Sequence, residues 1–80
     1  MTKYTKDKIW LMDEMKFANT FQVNRYAIVT LDDNSIIEGR IQEIGVAVNP
    51  NMNVHEHLPV SIKIVDKNID IQSIKEITVS

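Results

Sequence analysis

The stretch Tyr26–Ile44, YAIVTLDDNSIIEGRIQEI, decides the fold class of this chain. Residues 25–31 alternate between two faces and are rich in β-branched side chains, which predicts a β-strand. Asp32–Ser35 predicts a turn, because Asp and Asn tolerate the left-handed conformation and bond to nearby backbone. Ile36–Ile44 predicts a second strand, in which Gly39 marks a bend or a close crossing of another backbone. Such a bent hairpin is how a short sheet closes into a small barrel.

The residues after this hairpin predict further strands. Gly45–Val48 either extends the second strand or begins another, and Asn49–Pro59, bounded by two prolines, predicts a polar loop. Ser61–Val65 alternates as a strand does, and Asp66–Asn68 is a second hairpin signal. The isoleucines expected to face inward in this half are Ile62, Ile64, Ile69 and Ile71.

Two segments have helical spacing. A helix is predicted over about residues 5–19, which contain no Gly or Pro and several good helix formers. One apolar stripe of this helix is expected in the core and consists of Leu11, Met15 and Ala18. A second stripe is expected to reach an interface and consists of Trp10 and Phe17. Near the end, the spacing of Ile74 and Ile77 predicts one helical turn before Val79 closes the sheet.

Length and composition predict one globular domain over residues 1–80. Hydrophobic residues are 44% and charged residues 25%, which argues against disorder. The absence of cysteine excludes disulfides, cysteine-ligated zinc and thiol nucleophiles. A secreted domain of this size usually needs such cross-links, so a cytoplasmic location is expected. Charges interrupt the apolar run of residues 1–15, so neither a signal peptide nor a membrane-spanning segment is expected.

The net charge of −2 is unevenly distributed along the chain. Residues 1–25 carry five bases and three acids, whereas residues 26–80 carry four bases and eight acids. Nucleic-acid-binding proteins concentrate Lys and Arg on one face, because contacts with phosphates supply most of their affinity. The predicted sheet has the opposite balance, so general nucleic-acid binding is disfavoured and a local site stays open.

Both histidines lie in the predicted loop, at His55 and His57, with Glu56 between them. In an extended segment the two rings point the same way and could supply two zinc ligands, but zinc needs a third and usually a fourth. A loop with solvated histidines is therefore the preferred interpretation, and a pH-sensitive contact is the next one. The sequence predicts no metal and no other cofactor.

Catalytic motifs are not found in the sequence. The only glycines, Gly39 and Gly45, do not form a phosphate-binding loop, and the serines lack a nucleophile-elbow pattern. A turn explains the paired acids Asp32 and Asp33 better than acid–base chemistry does. A barrel of this size also has little room for a ligand pocket, which typically needs about 300 Å³ or more. We therefore predict that the chain is not an enzyme.

The frame formed by Tyr26–Ile44 and by VSIKIVDKNIDIQSIKEITVS, residues 60–80, resembles a small Sm-like barrel with SH3-like architecture. In that fold an N-terminal helix precedes five strongly bent antiparallel strands. Gly39 and Ile41 match its bent second strand. The resemblance implies a mainly β (α+β) fold with the barrel over about residues 24–79.

The order of elements is also similar to that of the YolD-like family of bacterial proteins. In both, a strand–turn–strand with a glycine leads to a run I-x-I-x-x-I-x-x-I, here residues 69–77. That resemblance implies a small partner-binding protein, which in that family is linked to Y-family polymerases. The family's Gly-rich start and its Lys-Trp pair are missing from this chain.

Sm proteins bind single-stranded RNA through local motifs, so the resemblance can be compared residue by residue. Met52 and Asn53 offer the family's Met-Asn pair about four residues late, and Gly45 stands where the family has an aspartate. The acidic turn Asp66–Asn68 replaces the family's Arg-Gly turn, so no arginine is present there to stack on a base. RNA binding of the Sm type is therefore not expected to be inherited.

Two functional hypotheses follow from these observations. The first is a protein–protein binding module (adaptor, inhibitor or assembly subunit), which could also form homo-oligomers through strand edges. Its expected contact residues are Trp10, Phe17, Tyr26 and Met52. The alternative is an Sm-like protein that binds RNA or another nucleic acid. Its expected contact residues are Lys3, Lys6, Lys8 and Asn53.

Overall fold

The chain consists mostly of strands, with short helices near its N-terminal end. The computed structural model describes residues 2–48 and 57–80. Within these residues, the α-helices are α1 (Lys6–Trp10) and α2 (Glu14–Thr20), and a 3-10 turn spans Ile71–Ser73. The strands are β1 (Thr2–Thr5), β2 (Tyr26–Leu31), β3 (Ile36–Val48), β4 (His57–Ile64), β5 (Lys67–Asp70) and β6 (Ile74–Val79).

All described strand pairs are antiparallel, and the strand order is β1-β6-β2-β3-β4-β5. The mainly β prediction is therefore confirmed. The predicted closure of five strands into a barrel is not found, because the described sheet has six strands and stays open. Thr2–Thr5, which was not expected to be a strand, pairs with β6 and occupies the edge that β2 leaves free.

The predicted hairpin of β2 and β3 is confirmed in position, and the structure adds its register. Tyr26 lies opposite Arg40 and Thr30 lies opposite Ile36, and Asn34 adopts a positive φ of 68° in the turn between them. Burial in β2 follows the period of two that its sequence predicts, since the alternate residues Ala27 and Val29 are fully buried.

Gly39 sits where β3 passes from one half of the sheet to the other. The first part of β3, residues 36–40, pairs with β2, and residues 41–48 pair with β4. Gly39 has a φ of 157°, which L side chains rarely adopt. A Cβ atom there would lie 3.1 Å from Cγ2 of Ile64 and 3.1 Å from Cγ1 of Val65. Gly39 therefore marks a close contact with side chains at the end of β4 and in the turn after it, and not the predicted crossing of another backbone.

The predicted loop Asn49–Pro59 extends too far, because β4 begins at His57. Pro59 is buried and lies opposite Val46, beside a register shift in the ladder between β3 and β4. A proline is tolerated inside a strand at such an irregularity, because no ladder hydrogen bond is required of its nitrogen. The rest of the predicted loop lies outside the described residues.

The second hairpin is confirmed, but its turn begins one residue earlier and is shorter than predicted. Val65 and Asp66 form the turn with φ values of 47° and 62°, and Lys67 already belongs to β5. The side chain of Gln42 supports this turn, since its Oε1 accepts a hydrogen bond of 2.6 Å from the backbone N–H of Asp66. The predicted inward isoleucines are buried, namely Ile62, Ile64, Ile69 and Ile71.

The helical turn predicted around Ile74 and Ile77 is wrong, because both residues lie in β6. Their spacing of three comes from a register shift: Thr30 pairs with Glu76, while the next residue of β2 pairs with Ile74. Lys75 is thus the extra residue of a bulge, which changes the parity of the strand. Both isoleucines are therefore fully buried.

The single helix predicted over residues 5–19 is also wrong. Residues 11–13 separate α1 from α2, and the Asp13 carboxylate caps α2 by accepting a hydrogen bond of 2.8 Å from the backbone N–H of Lys16. In an unbroken helix the pairs Ile9/Met12 and Phe17/Phe21 would point about 130° apart at 3.6 residues per turn. The break lets both pairs face the core, where all four side chains are buried.

The core lies between the helices and one face of the sheet. α1 packs against β1, β4 and β6, and α2 packs against β4. Phe21 is at the centre of an aromatic group, with edge-to-face contacts to Phe17 at 5.3 Å and to Tyr4 at 5.6 Å between ring centroids. Among the described residues, no buried side chain is polar, and no helix combines the length and apolarity needed to cross a membrane.

Candidate functional site

Two short helices present apolar side chains that the core does not use. α1 and α2 turn Ile9, Met12 and Phe17 inward, and this orientation leaves other apolar residues of the segment outside. Leu11, directly after α1, is 87% exposed, and Met15 in the first turn of α2 is 75% exposed. Both were predicted to be core residues, and that prediction is wrong. The helix break accounts for the error, because it resets which residues face the sheet.

A surface cleft of about 430 Å³ lies beside Met15. Its wall is formed by β1, by α2 and by the residues that lead into β2. The lining residues are Tyr4, Asp13, Met15, Lys16, Asn19, Thr20 and Arg25. The cleft is wide open to solvent, so it resembles a contact surface more than an enclosed ligand cavity.

A second cleft, of about 200 Å³, lies beside Leu11. It is lined by Tyr4, Lys8, Leu11, Met12 and Lys16. Because Tyr4 and Lys16 line both clefts, the two adjoin each other. We call the two clefts together the helix groove.

Positive charge predominates in the helix groove. Lys8 and Arg25 each line one cleft and Lys16 lines both, whereas the lining acid is Asp13. The Asp13 carboxylate is engaged in capping α2, and Arg25 donates a hydrogen bond of 3.2 Å to the carbonyl oxygen of Thr20. No ion pair within the described residues engages the ammonium group of Lys8 or Lys16.

Tyr4 lines both clefts of the helix groove and is held in place by its neighbours. The residue belongs to β1, where it pairs with Ile77, and its half-buried ring rests edge-on against Phe21. An aromatic side chain held in this way loses little further freedom when a ligand covers it. Its role depends on β1, which the sequence did not predict.

The residues predicted to contact a partner differ in their exposure. Phe17 is fully buried, so its predicted role in an interface is corrected to a role in the core. Trp10 is 37% exposed at the end of α1, next to Leu11. Tyr26 is 38% exposed on β2 and donates a hydrogen bond of 2.8 Å to the Glu38 carboxylate, which raises the pKa of the tyrosine. Met52 lies outside the described residues.

The residues predicted for nucleic-acid binding have different surroundings. Nζ of Lys3 lies 3.5 Å from Oε2 of Glu76, and Nζ of Lys6 lies 2.9 Å from Oδ2 of Asp32. Both amines therefore have carboxylate neighbours of their own. Lys8 lines the helix groove, and Asn53 lies outside the described residues.

The metal candidate rests on His55 and on the side chain of His57, which lie outside the described residues. In the described part of the chain, no group of three or more His, Cys, Asp or Glu side chains is arranged to hold a metal ion. The prediction of no metal stays a prediction.

Comparisons with known proteins add no relative. A scan against protein-family models, a search of curated proteins and a search of solved structures each found no match to this chain. The Sm-like and YolD-like resemblances therefore gain no support and stay predictions. Function is inferred from the helix groove alone.

Proposed function

We propose that this chain is a small non-enzymatic protein–protein binding module and that it contacts its partner through the helix groove. The observation that carries the proposal is the exposure of Leu11 and Met15 beside two adjoining clefts. Exposed apolar residues that cluster around a concavity are typical of interaction sites. Methionine is enriched in interfaces, because its flexible side chain adapts to different partner surfaces.

The ends of the sheet support this choice of surface. β1 and β5, the end strands of the described sheet, are four residues long and carry Lys3 and Lys67. Short, lysine-bearing edge strands discourage pairing with the edge of another sheet. The helix groove is thus a better contact surface than either end strand, and homo-oligomerisation through strand edges stays a prediction.

Site-specific photo-crosslinking in the protein's native cells tests the proposal. The probe is a photoreactive phenylalanine analogue in place of Met15, and the matched control carries it in place of Ile36, which is exposed on β3. We expect a protein adduct of defined mass from position 15 only, and we expect the further substitution Leu11→Ser to abolish it. Equal adducts from both positions, or none from either, would contradict the proposal.

Nucleic-acid binding remains the second candidate, and one observation favours it: three cationic side chains line the helix groove. The test is a titration of fluorescein-labelled single-stranded RNA and DNA at low salt. We expect a flat response, because the chain as a whole is negative and Lys3 and Lys6 lie beside carboxylates. Binding that weakens steeply with salt would favour this candidate instead.

A further inference from the structure

We infer that the occupant of the helix groove is an acidic, amphipathic peptide segment of another protein. Its carboxylates would meet Lys8 and Lys16, and its apolar side chains would cover Leu11 and Met15. This inference rests on the proposed function and adds the chemistry of the partner.

Charge complementarity is the first argument for an acidic partner. Three bases and one acid line the helix groove, although the net charge of the chain is −2. The acid, Asp13, caps α2, and the neighbouring Glu14 lines neither cleft. An acidic segment is therefore attracted to the groove and repelled by the rest of the surface, which steers it to one place.

The order of residues along the groove is the second argument. Lys8 and Leu11 line the smaller cleft, Met15 lines the larger one, and Lys16 lies where the two adjoin. Cationic and apolar contacts thus occur together in a continuous open depression. A peptide with acidic and apolar residues fits this arrangement, whereas a small molecule would stay largely exposed in it.

A second copy of the chain fits the groove less well. In a two-fold dimer through this surface, the groove of one chain would face the same groove of the second chain. This would bring together the cations of both chains, namely Lys8, Lys16 and Arg25. Like charges brought together in this way oppose association. A nucleic acid fits less well too, because the exposed Leu11 and Met15 would be left against a charged backbone.

The test starts from a library of random 12-residue peptides displayed on phage and selected on the immobilised full chain. Counter-selection on the variant Leu11→Ser/Met15→Ser removes peptides that bind elsewhere. We expect the enriched peptides to combine Asp or Glu with large apolar residues. Both substituted positions are exposed, so we expect the variant to stay folded, and thermal unfolding followed by circular dichroism checks this.

Synthetic copies of the enriched peptides are then titrated by fluorescence anisotropy. Lys8→Glu/Lys16→Glu should weaken binding by about tenfold or more, since it replaces attraction by repulsion at two positions. The matched control Lys67→Glu/Lys75→Glu changes the net charge equally but at exposed sites outside the groove, and about twofold or less is expected. Salt should weaken the wild-type complex.

The alternative outcomes show whether the inference fails alone or together with the proposed function. Groove-dependent peptides without an excess of acids, bound equally well by Lys8→Glu/Lys16→Glu, would overturn the inference and leave the proposed function standing. A selection without any groove-dependent binder would overturn both. Two further results would assign the groove to a different occupant and so overturn the inference. One is oligonucleotide binding that Lys8→Glu/Lys16→Glu abolishes, and the other is a concentration-dependent mass that Leu11→Ser/Met15→Ser reduces to that of a monomer.

Discussion

The β2–β3 hairpin and the helical segment, residues 6–21, distribute their apolar residues by different rules. In β2 the buried residues are alternate ones, as the period of a strand requires. In the helical segment, Ile9 and Phe17 are fully buried while Leu11 and Met15 are exposed, although all four are large and apolar. In the strand, a residue is buried or exposed according to whether its position is odd or even. In the helical segment, burial depends on where each helix starts and ends.

This difference shows where an exposed apolar residue carries information about function. A strand with one face on the core exposes its other face whether or not the protein binds a partner. Leu11 and Met15 are exposed because a cap at Asp13 divides the segment, and nothing in the described core requires leucine or methionine there. Two large apolar side chains without a folding role beside a groove are therefore the basis on which we propose a contact surface there.

The largest expected effect on stability tests whether the helical segment has one set of apolar residues in the core and another on the surface. Phe17→Ala should lower the free energy of unfolding by about 3–5 kcal/mol, because it removes a fully buried ring and leaves a cavity. Met15→Ala, two residues away on the same helix, should change it by about 0.5 kcal/mol or less. Urea unfolding followed by circular dichroism measures both. Equal losses of unfolding free energy would show that Phe17 and Met15 do not differ as a core residue and a surface residue do.

How much of this could be read from the sequence depends on the region. The alternation in Tyr26–Leu31 and the turn after it were predicted correctly, because local rules fix them. A close contact at Gly39 was expected too, but with a backbone, whereas the contacts are side chains. Strand β1 could not be predicted, since the four residues Thr2–Thr5 become a strand only when β6 offers them an edge. The spacing of Ile74 and Ile77 misled for a similar reason, because a bulge imitates helical spacing.

The helix groove was missed because the helix was taken as continuous. The sequence did hold a signal: Asp13 is a good N-cap residue in the middle of the predicted helix. The burial of both pairs, Ile9/Met12 and Phe17/Phe21, could not be read from the sequence, although one straight helix cannot turn both toward the core. The position of Tyr4 in the groove could not be predicted, because it depends on the pairing of β1.

The next largest effect on stability is expected from adding a side chain at Gly39, where β3 lies close to the end of β4. Gly39→Ala should lower the free energy of unfolding by about 1–3 kcal/mol, because φ at this position is 157°. The added Cβ would also press on Ile64 and Val65 at 3.1 Å. Glu43→Ala, at an exposed position of the same strand, is the control and should have little effect. Similar denaturation midpoints for both variants would refute the close contact at Gly39.

A smaller effect is expected at the caps of the two helices, which differ in one contact. Asp13→Ala should lower the free energy of unfolding by about 1 kcal/mol, because it removes the hydrogen bond to the N–H of Lys16. Thr5→Ala is the matched control, since Thr5 is the N-cap of α1 and makes no side-chain cap bond. Thermal or urea unfolding compares them. A loss of the same size at Thr5 would mean that the cap bond does not explain the break.

The smallest expected effect is electrostatic and lies in the hairpin turn. The hydroxyl and the backbone N–H of Ser35 both donate to the Asp33 carboxylate, which lowers the pKa of that group. These bonds therefore add stability above the unfolded-state pKa and lose it as the pH falls through the folded-state pKa. Ser35→Ala should raise the pKa of Asp33 toward its ordinary value, as an NMR titration of the carboxyl resonance would measure. In Ser73→Ala, which leaves the turn intact, the titration midpoint should stay where it is in the unmodified chain. An unmoved midpoint in Ser35→Ala would show that the hydroxyl does not hold the charge.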